Sequence, residues 1–291
     1  MSVRFGHFLL TIWIVIVVVI AACVSPAKEN SPTETTSTAT SVNTHHYELN
    51  GTHLINFTVT LNGTTFGPYV LEGMAGGDVF VPEGVLLYAY YPGELSKPTE
   101  FLLVGKSGGV VWRKRFSGLT EFWASTEGRG IFIKQGSQNP RINPVLYLIN
   151  MKTGEIILSR ELPGGGTVGD IVLKDGLIYL TTSGGYVHMV GDKEMESSYF
   201  DSIGGTLVNF RLHLAVGDEY LAVAYWFANE TNEKSGLCVF TTELERIACR
   251  RLEKRPSGVS IEGNTVYVIS GGESFPYRID ALAEETERRN S

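Results

Sequence analysis

The sequence predicts an all-β fold built from repeated four-stranded sheets, and three observations lead there. A strand–turn–strand unit recurs about every 45 residues, the size of one four-stranded module. A second set of tight turns lies between those units, each followed by an apolar, aromatic-rich run. No amphipathic helical pattern of useful length interrupts the series, which excludes a parallel α/β fold.

The clearest strand–turn–strand unit is residues 146–162, LYLINMKTGEIILSREL, in which Gly154 can take the positive φ that a tight turn requires. Looser copies span residues 101–116, 186–200, 236–252 and 277–288. Before each of them lies an inner strand pair, its turn marked by Glu83-Gly84, Glu127-Gly128, Asp175-Gly176, Gly217-Asp218 or Glu262-Gly263. The runs that follow, such as Val85-Leu86-Leu87-Tyr88 and Leu177-Ile178-Tyr179-Leu180, are apolar on both faces. Strands of that kind belong where one sheet packs against neighbours on either side, as in a β-propeller.

Composition sets the outer limits. The 291 residues are 43% hydrophobic and 19% charged, enough apolar side chain for one large all-β domain and too much for wholesale disorder. The formal net charge of −7 excludes a nucleic-acid partner, because no basic cluster exceeds Arg113-Lys114-Arg115.

Taken in order, the chain opens on a segment of residues 1–23. Arg4 precedes an apolar run from Phe8 to Ala22. At about fifteen residues the run is short of the roughly twenty that a membrane helix needs, and it fits a signal segment. Ile20-Ala21-Ala22-Cys23 resembles the lipobox of secreted lipoproteins, which implies lipid on Cys23 and a cell-membrane location on the extracytoplasmic face. The alternative is an uncleaved signal-anchor with an incidental cysteine. Either way residues 24–291 lie outside the membrane. Residues 24–45, rich in Ser, Thr and Pro, cannot bury enough surface to offset ordering and read as a flexible tether. The propeller domain is placed at residues 46–291.

Sequons occur at Asn50, Asn56, Asn62 and Asn229, in keeping with an exported, glycosylated protein. Between 54 and 62, Ile55, Phe57, Val59 and Leu61 alternate with polar residues, the pattern of a half-buried strand. With Cys23 assigned to lipid, Cys238 and Cys249 remain, symmetric about Glu243-Leu244, and a cross-strand disulfide is expected. Two thiols without nearby histidines do not make a zinc site, so no metal is expected.

The repeats give five four-stranded blades with residues 47–73 left over. One arrangement uses the strand 54–61 to complete the final blade and close the ring; the alternative makes residues 47–73 a sixth, degenerate blade. The charged stretch 282–289, LAEETERR, is a poor strand. Ser107-Gly108-Gly109-Val110-Val111-Trp112 and Thr153-Gly154-Glu155-Ile156-Ile157-Leu158 resemble the docking motif of the PQQ-like, or quinoprotein-like, propeller repeats. That resemblance implies that Trp112 packs one blade against the next, with Leu158 replacing the tryptophan in the second copy. Quinoprotein dehydrogenases of the family are much longer, so no quinone or other cofactor is implied. The whole chain also resembles uncharacterised surface lipoproteins of archaea, and the family includes an outer-membrane assembly lipoprotein as a type of role.

Catalytic signatures are absent: there is no G-x-S-x-G elbow, P-loop, H-E-x-x-H or dinucleotide fingerprint. The six histidines are scattered, and His188 and His213 read as structural or solvated. Counting six residues back from each inner-turn glycine gives Asp78, Phe122, Asp170, Arg211 and Ser257, which would line one level of a central channel if the repeats are in register. Asp78, Asp170 and Arg211 would then form a polar ligand site, or the Asp78–Asp170 pair the acid and base of a glycoside hydrolase. Trp123, Tyr225 and Trp226 are candidates for a stacking platform, against the plainer reading that they pack between blades. The expectation is a lipid-anchored propeller that binds a protein or glycan, with a carbohydrate-active hydrolase as the alternative.

Overall fold

A computed structural model of the chain describes residues 40–126, 128–137, 141–203 and 206–290. The signal segment, Cys23 and most of the expected tether lie outside the described residues. Six antiparallel sheets follow one another in chain order. The first joins β1 (Ser41–Leu49), β2 (Thr52–Leu61) and β3 (Thr64–Glu72); the second joins β4 (Ala75–Val81), β5 (Gly84–Tyr90), β6 (Thr99–Gly105) and β7 (Val110–Phe116). The third holds β8 (Thr120–Thr126), β9 (Arg129–Lys134), β10 (Val145–Asn150) and β11 (Ile156–Glu161), and the fourth β12 (Val168–Lys174), β13 (Leu177–Thr182), β14 (Tyr186–Val190) and β15 (Met195–Tyr199). In the fifth are β16 (Asn209–Val216), β17 (Tyr220–Ala228), β18 (Glu233–Thr241) and β19 (Arg246–Arg251); the sixth has only β20 (Gly258–Glu262), β21 (Thr265–Ser270) and β22 (Glu273–Arg278). A helix, α1 (Ile279–Asn290), ends the described chain.

Each sheet shares a hydrophobic cluster with the next. Phe57 and Ile55 meet Leu87 and Leu102 between the first and second sheets, Phe101 and Trp112 meet Phe132 and Ile149 between the second and third, and the series runs on to the sixth. Consecutive sheets stacked face to face in chain order are the blades of a β-propeller. The second strands β5, β9, β13 and β17 are buried almost throughout, as their two-sided apolar runs predict. Their partners β4, β8 and β12 are mostly half-buried, and β12, β16 and β20 lie side by side at the inner end of the fourth, fifth and sixth sheets. Inner strands that keep contact with water are what a wet axial space requires.

The expected docking of Trp112 is present. Its indole lies on the turn of the next sheet, so that a Cβ on Gly154 would sit 2.7 Å from the ring, and Nε1 donates to the Met151 carbonyl at 2.7 Å. Gly154 is also held at φ 75°. Only a glycine meets both demands. The first sheet repeats the device with other residues: Phe66 covers Gly108, and the Tyr69 hydroxyl donates to the Gly108 carbonyl at 2.5 Å. Cys238 and Cys249 face each other across β18 and β19 and form the expected disulfide.

Three expectations fail. The strand at 54–61 does not complete the last blade; it is the centre of its own sheet, paired with β1 and β3, so the alternative of a sixth unit holds. Asn50-Gly51 and Asn62-Gly63 explain why. All four residues have positive φ, making two tight hairpins whose local closure costs far less chain entropy than pairing with the distant end. The same hairpin draws in residues assigned to the tether, since β1 begins at Ser41. Residues 277–288 are not a hairpin either: β22 stops at Arg278 and α1 follows. Pro276 lies on the free edge of β22 and lacks an N–H, which disfavours a fourth strand. The following residues are good helix formers, and Ile279 and Leu282 bury against the fifth and sixth sheets.

Candidate functional site

The carboxylates singled out by equal counting do not occupy equivalent places. Pairs are numbered outward from each inner turn. With Val81↔Gly84 first, Asp78 stands in the fourth pair; with Lys174↔Leu177 first, Asp170 stands in the fifth; with Val216↔Leu221 first, Arg211 stands in the sixth. The glycine does not hold the same place in every turn: Gly84 pairs with Val81 while Gly176 lies inside its turn, so the same offset from a glycine lands in a different register, and each step of one reverses the face. Phe122 falls in the fourth pair, while Ser257 precedes β20 and gives its N–H and hydroxyl to the Ile269 carbonyl.

Asp170 is fully engaged by the main chain. Oδ1 accepts the N–H of Ile171 and Oδ2 that of Leu214 on the next sheet, both at 2.8 Å. Burial pushes its carboxyl up to about 6, against the pull of those two donors. It clasps the fourth sheet to the fifth. Arg211 is exposed and has no part in that clasp; burial lowers His213, and the Arg211 charge lowers it further. The expected cluster of Asp78, Asp170 and Arg211 therefore does not form.

The aromatic platform is absent too. Trp226 is 5% exposed, with the Arg255 guanidinium 4.2 Å over its ring and its Nε1 directed at Glu233. Tyr225 is core, its hydroxyl donating to Asp201, and Trp123 packs against the cluster between the third and fourth sheets. These are the packing roles of the plainer reading. His188 is wholly buried and neutral, burial drawing it down to about 4, with Nδ1 on the Ser197 hydroxyl at 2.7 Å. Of the sequons, Asn50 and Asn62 stand exposed at hairpin tips, Asn56 is half-buried on β2, and the Asn229 side-chain oxygen accepts the N–H groups of Thr231 and Asn232 in the turn after β17.

The structure also places an inner acid that equal counting missed. At the fifth pair of the third sheet stands Glu121, the counterpart of Asp170. In the second sheet that level is Gly77, opposite Tyr88, whose hydroxyl would lie 2.6 Å from a Cβ on the glycine. The Tyr88 phenol lies within electrostatic reach of Asp78, Glu121 and Tyr90, and Tyr90 within reach of Glu121. The Tyr88 and Tyr90 rings stack at 6.2 Å. Glu121 keeps contact with water at the inner end of the third sheet. Gln135, itself buried, donates to Glu121 Oε2 at 2.5 Å and accepts the Val168 N–H, which fixes the carboxylate. Loss of solvation raises the carboxyl groups of both Asp78 and Glu121 above the usual range. Among the described residues no set of three His, Cys, Asp or Glu side chains is placed to hold a metal.

Equal counting failed at Glu121 for a local reason. Trp123 is the extra residue of a bulge between Phe122 and Ala124, which shifts register by one.

No family model matches the chain, and no curated protein matches it. Several solved structures are similar in outline. Sqt1 of Saccharomyces cerevisiae has a TM-score of 0.47 at 6% identity over 79% of this chain and 68% of that one. BamB from Moraxella catarrhalis has 0.35 at 9% over 77% and 80%, and the computationally designed Ika8 protein 0.44 at 11% over 80% and 70%. At such identities and TM-scores nothing in the reading of the site rests on them.

Proposed function

We propose that this chain is a non-catalytic binding module, a rigid β-propeller that engages a protein partner and is held at the outer face of the cell membrane by lipid on Cys23. The observation that carries the reading is the fate of Asp170. A glycosidase needs two carboxyl groups free to exchange protons across one bond. Asp170 spends both oxygens on main-chain donors of two sheets, and Asp78 stands in a different register. What the inner strands offer is a fixed set of polar and aromatic groups open to water, which suits recognition.

Two measurements test this. Pull-down from detergent-solubilised membranes is expected to recover one stoichiometric partner, and mass spectrometry of the mature N-terminus to find a lipid-modified cysteine. Turnover of a chromogenic glycoside panel that disappears in Asp170→Asn would overturn the reading.

A further inference from the structure

Resting on that reading, we infer that the partner protein is held by strand addition: an extended segment of it, apolar and basic at alternate positions, pairs with the free edge of β1 and takes the innermost place of the first sheet.

The docking turns show which place that is. Trp112 on β7, a fourth strand, covers Gly154 in the turn between the third and fourth strands of the next sheet. Phe66 on β3 covers Gly108, in the corresponding turn one sheet earlier, and the Tyr69 hydroxyl reaches the carbonyl there as the Trp112 indole reaches that of Met151. β3 is therefore a fourth strand, β2 a third and β1 a second. Among the described residues no strand stands inward of β1, where β4, β8, β12 and β16 begin the next four sheets. Burial shows the consequence. β5, β9, β13 and β17 hold the same second place and are buried almost throughout, whereas β1 is exposed except at the half-buried Val42 and Tyr47. The hydrophobic clusters join each sheet to the next in chain order, and among the described residues none joins the sixth to the first.

The edge itself is ready to pair. The two-residue turn Asn50-Gly51 makes Leu49↔Thr52 a hydrogen-bonded pair, and the His53 carbonyl accordingly turns away to accept from Gly73. Alternation then directs the N–H and C=O of Val42, Thr44, His46 and Glu48 away from β2. All nine pairs of β1 and β2 run without a bulge. Other edges carry guards against strand addition: Pro68 on β3, Arg113-Lys114-Arg115 on β7, Arg250-Arg251 on β19 and Pro276 on β22. β1 carries no proline, lysine or arginine, and its one carboxylate, Glu48, lies near its end.

A separate observation on β4 points to the occupant. In the later sheets, the inner-strand face turned to the preceding sheet is packed, by Phe122 on β8, Ile171 on β12, and Leu212 and Leu214 on β16. On β4 that face holds Gly76, Asp78 and Phe80, opposite Ala89, Leu87 and Val85 of the cluster shared with the first sheet. Ile55 and Phe57 reach Gly76, but Phe80 is 55% exposed and Asp78 makes no hydrogen bond or ion pair among the described residues. A strand inward of β1 would lay alternate side chains over these two residues, an apolar one at Phe80 and a basic one at Asp78. The net charge of −7 favours a partner of that sign. Residues 29–39, which lead into β1, offer neither a basic side chain nor an apolar one larger than alanine. A second copy of the chain would bring its own β2 and β3 along, three strands where the sheet lacks one.

The probe is the acetylated, amidated heptapeptide TVTKTVT, which sets valine, lysine and valine on one face in either direction of pairing. Its fluorescently labelled form is titrated into the full chain in detergent and followed by anisotropy, with amide hydrogen exchange resolved to single residues. Saturable binding is expected, with slower exchange at Val42, Thr44, His46 and Glu48 and unchanged rates at Asn43 and His45, which already bond to β2. Asp78→Asn should weaken binding about tenfold, the range of a lost charge-assisted hydrogen bond, and Asp78→Lys should turn the preference to TVTETVT. Thr44→Pro removes one outward N–H without touching a β1–β2 bond and should weaken binding at least as much; the same peptide N-methylated throughout should fail on wild-type protein, whatever Thr44→Pro does to folding. No saturable binding, protection confined to another strand, equal binding of the N-methylated peptide, or no preference of wild type for TVTKTVT over TVTETVT would each overturn the inference. Slow exchange at the four amides before peptide is added would give the edge to the chain's own N-terminal residues, and a dimer in sedimentation velocity that Thr44→Pro dissolves would give it to a second copy; either result also overturns it. The pull-down separates this inference from the reading beneath it. A partner recovered equally by wild type and by Thr44→Pro refutes the edge and leaves the binding module standing. Peptide binding without any recoverable partner refutes the module instead.

Discussion

If Gly154 is a docking surface as well as a turn residue, then a methyl group there should be harmful mainly because Trp112 occupies the space. In Gly154→Ala two costs add. At φ 75° an L-residue is in the left-handed region, which costs about 1–2 kcal/mol. The new Cβ would also stand 2.7 Å from Cγ and 2.8 Å from Cβ of Trp112, a collision of the overpacking kind worth about 1–3 kcal/mol. Trp112→Ala alone should cost about 3–5 kcal/mol, as a 7% exposed tryptophan whose indole bond to Met151 is lost with it. In the double variant the collision is gone and only the backbone cost remains. The two changes should therefore fall short of additivity by about 1–3 kcal/mol. Urea unfolding followed by circular dichroism, with the slope on denaturant held common, measures the cycle. Additivity within about 0.5 kcal/mol would show that the tryptophan does not lean on this turn, and the account of how the second and third sheets join would fail.

Reduction of the Cys238–Cys249 bridge, or its replacement by serines, should lower stability by about 3 kcal/mol, the chain-entropy value for so short a loop, without altering the sheet signal in circular dichroism. The pH dependence holds two opposed contributions. His188 is held at about 4 against roughly 6.5 unfolded, so its share of stability is present at neutral pH and lost as pH falls through that window; Asp170 is held at about 6 against roughly 3.9 unfolded, so its share is present in acid and lost as pH rises. Between about pH 4 and 6 the two slopes offset each other. Relative to wild type, His188→Gln should lose stability with rising pH and Asp170→Asn should gain it, each by no more than about 1.4 kcal/mol per pH unit. Urea midpoints taken at four pH values decide the matter, and slopes that shift in the same direction in both variants would refute the assignment.

What could be read from the sequence was whatever is settled within a few residues. The glycine of the 146–162 unit, the two-sided runs behind each inner turn and the cross-strand cysteines all appear as expected, because turn chemistry and strand periodicity are local. The first sheet was equally local but was read only as the alternative, a sixth blade from residues 47–73, and its first strand from Ser41 was missed. Asn50-Gly51 and Asn62-Gly63 are strong hairpin signals, hidden because both asparagines also sit in sequons and the polar stretch before them reads as a tether. Register at the inner strands was a different matter. A single extra residue at Trp123 carries Glu121 to the level of Asp170, and Gly84, paired with Val81 where Gly176 lies inside its turn, leaves Asp78 one step away. No count from a glycine can anticipate a bulge whose position is set by packing against the next sheet.

The three inner carboxyl groups then divide by what answers their burial, which separates a structural acid from two that keep contact with water. All are raised by loss of solvation. Asp170 receives two peptide N–H groups, one from its own strand and one from the neighbouring sheet, so the protein itself meets its need and gains a clasp between sheets. Glu121 receives the Gln135 amide, and Asp78 receives no hydrogen bond among the described residues. Arginines answer the burial of two other acids, Glu100 on the second sheet and Glu72 on the first. Two main-chain donors from two sheets are therefore what assign Asp170 to the scaffold rather than to exchange with a ligand.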